Sequence, residues 1–237
     1  MGIVNGIDDD VWNPAIDAAL PQRFDVKSID KRKANKRELE RRFELESGDG
    51  IIHGVVSRLT WQKGLDIFAS LLDGVVEQGA RVAVLGSGEA TIEQAFRAAA
   101  LRHKGRVGIV TSYDEQLSHL VQGGADTMLV PSRFEPCGLT QLYGLRYGCV
   151  PLVARVGGLA DTVIDANDAG LSAQVATGIQ FIPVDGVTLQ GALARTQELY
   201  NQPALWRGLQ QRGMASDVSW GRSALAYANL YKHILSR

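Results

Sequence analysis

Thr127-Met128-Leu129-Val130-Pro131-Ser132-Arg133-Phe134-Glu135-Pro136-Cys137-Gly138-Leu139-Thr140-Gln141 is the stretch on which the reading of this chain turns. The apolar run Thr127–Val130 has strand character and stops at Pro131, which has no N–H for a sheet ladder. A loop follows, carrying one carboxylate (Glu135) and one thiol (Cys137). Gly138 lets the backbone come close to a ligand. Thr140 is placed to cap the helix that begins there, with Leu142, Leu145 and Tyr147 on one face. The first turn of a helix offers free N–H groups and the positive end of the macrodipole, a combination that binds phosphates. An acid beside such a cradle, at the carboxyl end of a strand, predicts chemistry on a phosphorylated substrate.

A second segment has the same design. Val55-Val56-Ser57-Arg58-Leu59-Thr60-Trp61-Gln62-Lys63-Gly64 closes a strand, Ile51–Val56, and places Arg58 and Lys63 in the strand-to-helix connection. Cations there can neutralise a departing diphosphate without a metal. Gly64 suits a close approach at a helix start.

Outward from these loops the pattern is regular. Ile51–Val56, Arg81–Leu85, Val107–Val110, Thr127–Val130, Val150–Ala154 and Ile179–Ile182 are short, continuous apolar runs, as expected for strands buried on both faces. Helical spacings lie between them. Leu65, Phe68, Ala69, Leu72 and Val75-Val76 run up to Gly79; Ile92, Phe96 and Ala99-Ala100 follow Glu89; Leu117, Leu120 and Val121 follow Asp114. Repeated βα units predict an α/β fold with a doubly wound, mostly parallel Rossmann-like sheet and helices on both faces. Ligands bind such folds at the carboxyl ends of the strands, and both loops fall there. Residues 51–187 are read as this core, residues 1–50 as a linker with a first helix, and residues 188–237 as a helical C-terminal segment broken at Pro203 and near Ser219. The basic run from Lys27 to Arg42 is interleaved with Glu38 and Glu40. Mixed charge at helical spacing is read as a solvated helix face rather than a nucleic-acid patch.

Composition narrows the function classes. The 237 residues are 45% hydrophobic and 22% charged with a net charge of −1, values that favour neither nucleic acid nor an anionic membrane. No apolar run is long enough to span a bilayer and no secretory signal opens the chain. Cys137 and Cys149 read as free thiols of a reducing cytoplasm. The four histidines are scattered without metal-ligand spacing, so no metal and no cofactor are expected. Gly86-Ser87-Gly88 follows a strand, but it lies on the second strand and lacks the third glycine (Thr91) and the ribose-binding acid of a dinucleotide fingerprint. It is read as a tight turn near the ligand site.

S-R-L-x-x-Q-K-G at Ser57–Gly64 and F-E-P-C-G-L-T-Q at Phe134–Gln141 together resemble the bacterial glycogen synthases and plant starch synthases. These are retaining glucosyltransferases of the GT-B type, with two Rossmann-like domains facing a cleft. Asn5-Gly6-Ile7-Asp8, Trp12-Asn13-Pro14, Thr111-Ser112-Tyr113-Asp114-Glu115 and Gly157-Gly158-Leu159-Ala160-Asp161-Thr162-Val163 extend the resemblance over essentially the whole chain. It implies the donor-binding half of an enzyme that moves glucose from ADP-glucose to the non-reducing end of an α-1,4-glucan. The Lys-x-Gly-Gly loop of that family's acceptor domain does not occur here. The acceptor domain is therefore expected to be absent, the glucan to be held through it, and this chain alone to be inactive.

The resemblance also assigns roles. Arg58 and Lys63 would contact the diphosphate. Glu135 would lie beside the donor glucose, against the plainer reading of a loop acid. Cys137 would line the pocket, although a buried thiol is the ordinary reading, and no histidine near it in sequence supports a nucleophile. Gly138, Leu139 and Thr140 would offer amides and a hydroxyl to the distal phosphate and sugar. Tyr113 would stack on adenine, or simply pack. A two-carboxylate hydrolase mechanism needs a second acid, and none is evident beside Glu135. Two rivals stay open: a nucleotide-binding module with no catalysis of its own, and another retaining glycosyltransferase using a different nucleotide sugar.

Overall fold

The computed structural model describes residues 2–112 and 114–236. Six strands form one sheet: β1 (Ile52–Val56), β2 (Arg81–Leu85), β3 (Val107–Val110), β4 (Thr127–Val130), β5 (Val150–Ala154) and β6 (Ile179–Phe181). Their order is β3-β2-β1-β4-β5-β6 and every pairing is parallel. The strand order reverses between β1 and β4, so a crevice opens beyond their carboxyl ends.

Eleven α-helices among the described residues cover the sheet. They are α1 (Arg32–Arg42), α2 (Leu65–Ser70), α3 (Leu72–Glu77), α4 (Ala90–Arg102), α5 (Glu115–Gly124), α6 (Thr140–Tyr147), α7 (Gly157–Thr162), α8 (Asp168–Ser172), α9 (Gly186–Tyr200), α10 (Pro203–Ala215) and α11 (Trp220–Leu235). The apolar spacing from Leu65 to Val76 forms two helices, with a break at Leu71. Pro203 opens α10, where its missing N–H costs nothing.

The strands are mostly apolar without alternation because alternate residues enter different cores. Val82, Val84, Leu129, Val150 and Leu152 join Phe68, Phe96 and Leu189 on one face. Ala83, Leu85, Met128, Val130 and Val153 join Leu39, Leu117 and Leu159 on the other. Thus α2, α4 and α9 cover one side while α1, α5 and α7 cover the second.

Helix α1 departs from the sequence expectation. Lys33, Arg41 and Arg42 are solvated, but Arg32, Lys36 and Glu40 are buried against α5 and the sheet. Lys36 Nζ donates to Asp126 Oδ2 at 2.7 Å, to the Gly50 carbonyl at 2.8 Å and to Tyr200 Oη at 3.0 Å. Arg81 Nη1 reaches Glu40 Oε1 at 2.5 Å, and Arg32 Nη2 caps the Gln122 and Ala125 carbonyls at 3.0 and 2.6 Å. The reading of a solvated face fails because each inward charge meets a partner far away in sequence, a counter-charge for Lys36 and Glu40 and two carbonyls for Arg32, which offsets the cost of burial. Burial pulls the Lys36 ammonium below the usual lysine range, and Asp126 offsets part of that.

The opening segment is pinned by polar and aromatic contacts. Asp17 Oδ2 accepts from Tyr147 Oη at 2.5 Å and lies 2.8 Å from His119 Nδ1. Trp12 is stacked between His119 and Tyr143, with centroid distances of 3.8 and 3.7 Å. Helix α11 is the least embedded element, with Leu225, Tyr231, Ile234 and Leu235 exposed. No helix among the described residues is long and apolar enough to cross a membrane.

Candidate active site

Because β1 and β4 are neighbours, the two loops singled out from the sequence emerge side by side. Gly64 has φ of +68°, and a Cβ there would overlap the Pro131 carbonyl oxygen, so only glycine allows the loops this contact. Arg133 N donates to the Gln62 carbonyl at 2.9 Å, and Gln62 Nε2 returns a bond to the Phe134 carbonyl at 3.2 Å. On the other flank Gly158 N donates to the Glu135 carbonyl at 3.0 Å, and a Cβ at Gly158 would overlap the Cys137 backbone. The Glu135–Cys137 turn is thus gripped from both sides.

Between these loops lies a cavity of about 300 Å³ whose lining includes Lys63, Ser132, Glu135, Cys137, Gly138, Leu139 and Thr140. Lys63 Nζ donates to Glu135 Oε2, so two residues predicted for different parts of a donor are in direct contact. Ser132 Oγ lies 3.3 Å from the same oxygen, and Glu135 is only 9% exposed. Asn5 N donates to Cys137 Sγ at 3.2 Å, which ties the opening segment to the cavity wall. Gly138 has φ of +72°, a backbone state open to glycine.

Thr140 does not cap α6. Leu139 occupies the N-cap position, no side chain caps the helix, and Thr140 Oγ1 lies 3.4 Å from the Val56 carbonyl instead. The reason is geometric: the N-cap needs an extended backbone, whereas Leu139 is already helical and Thr140 is the first helical residue. Thr140 and Gln141, the first residues of α6, line the cavity, and no side chain caps the helix there.

Arg58 stands apart. It is exposed, forms no ion pair among the described residues, and lines a second cavity of about 420 Å³. The two cavities adjoin, since Val56, Ser57 and Thr140 border both. The Gly86-Ser87-Gly88 turn lies on the Arg58 loop, with Leu59 N donating to the Ser87 carbonyl at 2.9 Å, and forms part of the second wall. Tyr113 lies outside the described residues; its neighbours Ser112 and Asp114 line this cavity.

Sequence reasoning quoted Trp12 only as part of the resemblance, with no role, and did not single out Tyr143 and Gln122; all three also line the second cavity. Gln122 is 1% exposed, donates Nε2 to the Thr140 carbonyl at 3.3 Å, and has no partner for Oε1. No local signal separates it from any other helical glutamine. Ser132 and Arg133 did lie inside the quoted motif and were passed over for Glu135. No cluster of three or more His, Cys, Asp or Glu side chains suited to a metal occurs among the described residues.

Residues 36–179, from α1 to β6 and including both loops, match the family model of glycosyl transferases group 1. The chain belongs to that family. The chain is 55% identical over 236 residues to glycogen synthase 1 of Rhizobium meliloti (strain 1021), covering all of itself and 49% of that protein. It is 57% identical over 235 residues to a glycogen synthase of Novosphingobium aromaticivorans, covering 99% of itself and 48% of the relative. It therefore spans about half the length of the curated relatives it matches, corresponding to their C-terminal half. Among solved structures, the catalytic domain of starch synthase IV from Arabidopsis thaliana, bound to ADP and acarbose, superposes with a TM-score of 0.92 at 34% identity. That match covers the whole of this chain and 49% of the other. The all-parallel sheet with helices on both faces is one half of the GT-B architecture.

Proposed function

We propose that this glycosyltransferase chain is the donor-binding half of a glycogen synthase, which transfers glucose from ADP-glucose to the non-reducing end of an α-1,4-glucan with retention of configuration. The observation that carries the reading is the Lys63–Glu135 contact at the β1/β4 switch point, inside a chain that is 55% identical to a glycogen synthase. The ADP and acarbose held by the Arabidopsis starch synthase support a nucleoside diphosphate leaving group and a glucan-like acceptor.

The geometry suggests a division of labour. Lys63 and the free amides at the start of α6 face the first cavity, where they would receive the distal phosphate. Arg58 borders the adjoining cavity and would neutralise the diphosphate from the other side. The second cavity, bordered by Trp12, Tyr143 and Gln122, would then take the nucleoside, the part of the donor that the family resemblance assigns to Tyr113. Preorganised donors of this kind stabilise charge as it builds on a leaving group. Glu135, at the edge of the first cavity, would face the glucose and stabilise positive charge at its anomeric carbon. Cys137, Gly138 and Leu139 shape the wall around the sugar.

Transfer also requires an acceptor held in near-attack geometry with water excluded. Half of a cleft does neither, so the chain alone binds donor without turning it over, and the exposed face of α11 is where the other half would rest. Calorimetric titration with ADP, UDP and ADP-glucose in the presence of chelator tests the reading. Saturable binding of ADP and ADP-glucose is expected, with no incorporation of labelled glucose into glycogen by this chain alone. A folded chain that gives no heat with either adenine nucleotide overturns it.

A further inference from the structure

Arg133 is a third cation of the two motif loops, two residues before Glu135, and it is engaged elsewhere. Its guanidinium lies 4.5 Å from the centroid of the Trp61 ring. Nη1 donates to the Trp61 carbonyl at 2.5 Å and to Asp66 Oδ1 at 2.6 Å, while Nη2 donates to Asp66 Oδ2 at 2.7 Å. Its backbone N–H takes the Gln62 carbonyl. These partners, Trp61, Gln62 and Asp66, bracket Lys63.

The bracketed turn lies at the surface. Trp61–Lys63 is a single 3-10 turn with no buried residue, and Trp61 is 54% exposed. Gly64 has no side chain to pack. Apart from the Arg133 contacts, the turn's polar tethers are the Trp61 N–H bond to Glu89 Oε1 at 2.9 Å, the Gln62 Nε2 bond to the Phe134 carbonyl at 3.2 Å and the Lys63 bond to Glu135 itself. A lysine carries its charge on a flexible four-carbon stem, so the position of its backbone decides where the ammonium can reach. An arginine fork gripping a carboxylate with two bonds while stacked on an indole defines an orientation that a lysine cannot reproduce.

We infer that Arg133 is a positioning residue for donor binding: it clamps the Trp61–Asp66 turn to the Glu135 loop and so holds Lys63 where a nucleoside diphosphate must be met. The inference rests on reading Lys63 as a diphosphate ligand. Arg133 itself lines neither of the two cavities. The hydrogen bonds from Arg133 hold the Asp66 carboxyl below the usual carboxylate range, so the clamp stays ionised and closed across the neutral pH range.

The test is a mutant cycle read by calorimetry with ADP in chelator, using the whole chain. The variants are Arg133→Lys, Asp66→Asn, Lys63→Ala and the double variant Arg133→Lys/Lys63→Ala, each shown to be folded by near-ultraviolet circular dichroism and thermal melting. Arg133→Lys and Asp66→Asn are each expected to weaken ADP binding about tenfold, while the double variant binds within about twofold of Lys63→Ala, because the clamp acts only through Lys63. Wild-type affinity in both Arg133→Lys and Asp66→Asn, beside a clear loss in Lys63→Ala, overturns the inference and leaves the role of Lys63 intact. A double variant about tenfold weaker than Lys63→Ala also overturns it, since Arg133 would then support the site by another route. ADP affinity indifferent to Lys63→Ala removes the reading of the site and the inference with it.

Discussion

The Lys63 ammonium donates to a carboxylate oxygen of Glu135 across 72 residues of sequence, at the point where the loops after β1 and β4 meet. Each group is the nearest counter-charge of the other in the cavity. A diphosphate entering there competes with Glu135 for Lys63, and the carboxylate is left to face the sugar.

This competition separates two variants. Lys63→Ala is expected to weaken ADP binding by ~1.5–3 kcal/mol, the range for a charge-assisted hydrogen bond. Glu135→Ala should leave ADP affinity within about threefold, and any change should be toward tighter binding, because Lys63 loses its resident partner. In a full-length enzyme the same Glu135→Ala change should lower turnover by about 10²–10³, since its effect is realised as charge builds on the glucose. One calorimetric series and one glucosyl-transfer assay check both. Loss of ADP binding in Glu135→Ala alone would mean that the two roles are reversed.

The buried face of α1 makes a stability prediction. Lys36→Ala removes the ammonium that Asp126 shares with the Ile52 N–H, and strands that carboxylate under the helix. Breaking a buried pair in this way costs about 3–5 kcal/mol. Arg41→Ala, on the solvated side of the same helix, should not move the urea midpoint measurably. Equal midpoints for the two variants would show that the inward charges of α1 contribute nothing.

Stability should also fall in mild acid. His53 is fully buried, with Nδ1 2.7 Å from Thr127 Oγ1, and burial pushes its pKa down to about 4. An unfolded histidine takes up its proton near pH 6.5. Between those values the unfolded chain binds more protons than the folded one, so folding stability rises with pH and is lost as pH drops. Moving from pH 7.5 to pH 5 should cost ~2 kcal/mol through this one group. Urea unfolding at the two pH values checks it, and His53→Gln should flatten that part of the profile.

The two thiols should differ in reactivity. Cys149 is wholly enclosed, and burial pushes its pKa up to about 12. Cys137 is partly open and lines the cavity of Lys63 and Glu135. An aromatic disulfide reagent should therefore titrate one thiol in the native chain and two in urea, since thiolate character and access govern the rate. Saturating ADP-glucose should slow the native reaction. Mass spectrometry finding the label on Cys149 first would contradict this arrangement.

Much of the fold was legible in the chain because its signals are local. Val82 to Leu85 and Thr127 to Val130 read as strands from adjacent residues alone, and their lack of alternation already implied two covered faces. The motif around Glu135 and the S-R-L-x-x-Q-K-G segment announced the site because a loop that approaches a ligand needs particular residues at fixed spacing. Tertiary structure alone decided the rest, since it depends on which distant groups meet. Lys36 and Glu40 look like a solvated stripe until Asp126 and Arg81 arrive from the sheet. Thr140 looks like a cap until the backbone at Leu139 turns out to be helical one residue earlier. Gly64 reads as a place of close approach, but only the crossing of Pro131 against it, and of Cys137 against Gly158, shows what approaches and why no larger side chain fits. Arg133 has no role assigned from the motif it sits in, and only the fold reveals that Asp66 and Trp61 hold it. Local sequence specifies torsions and buried faces, whereas the pairing of charges is set by contacts between segments that lie far apart in sequence and meet only in the tertiary fold.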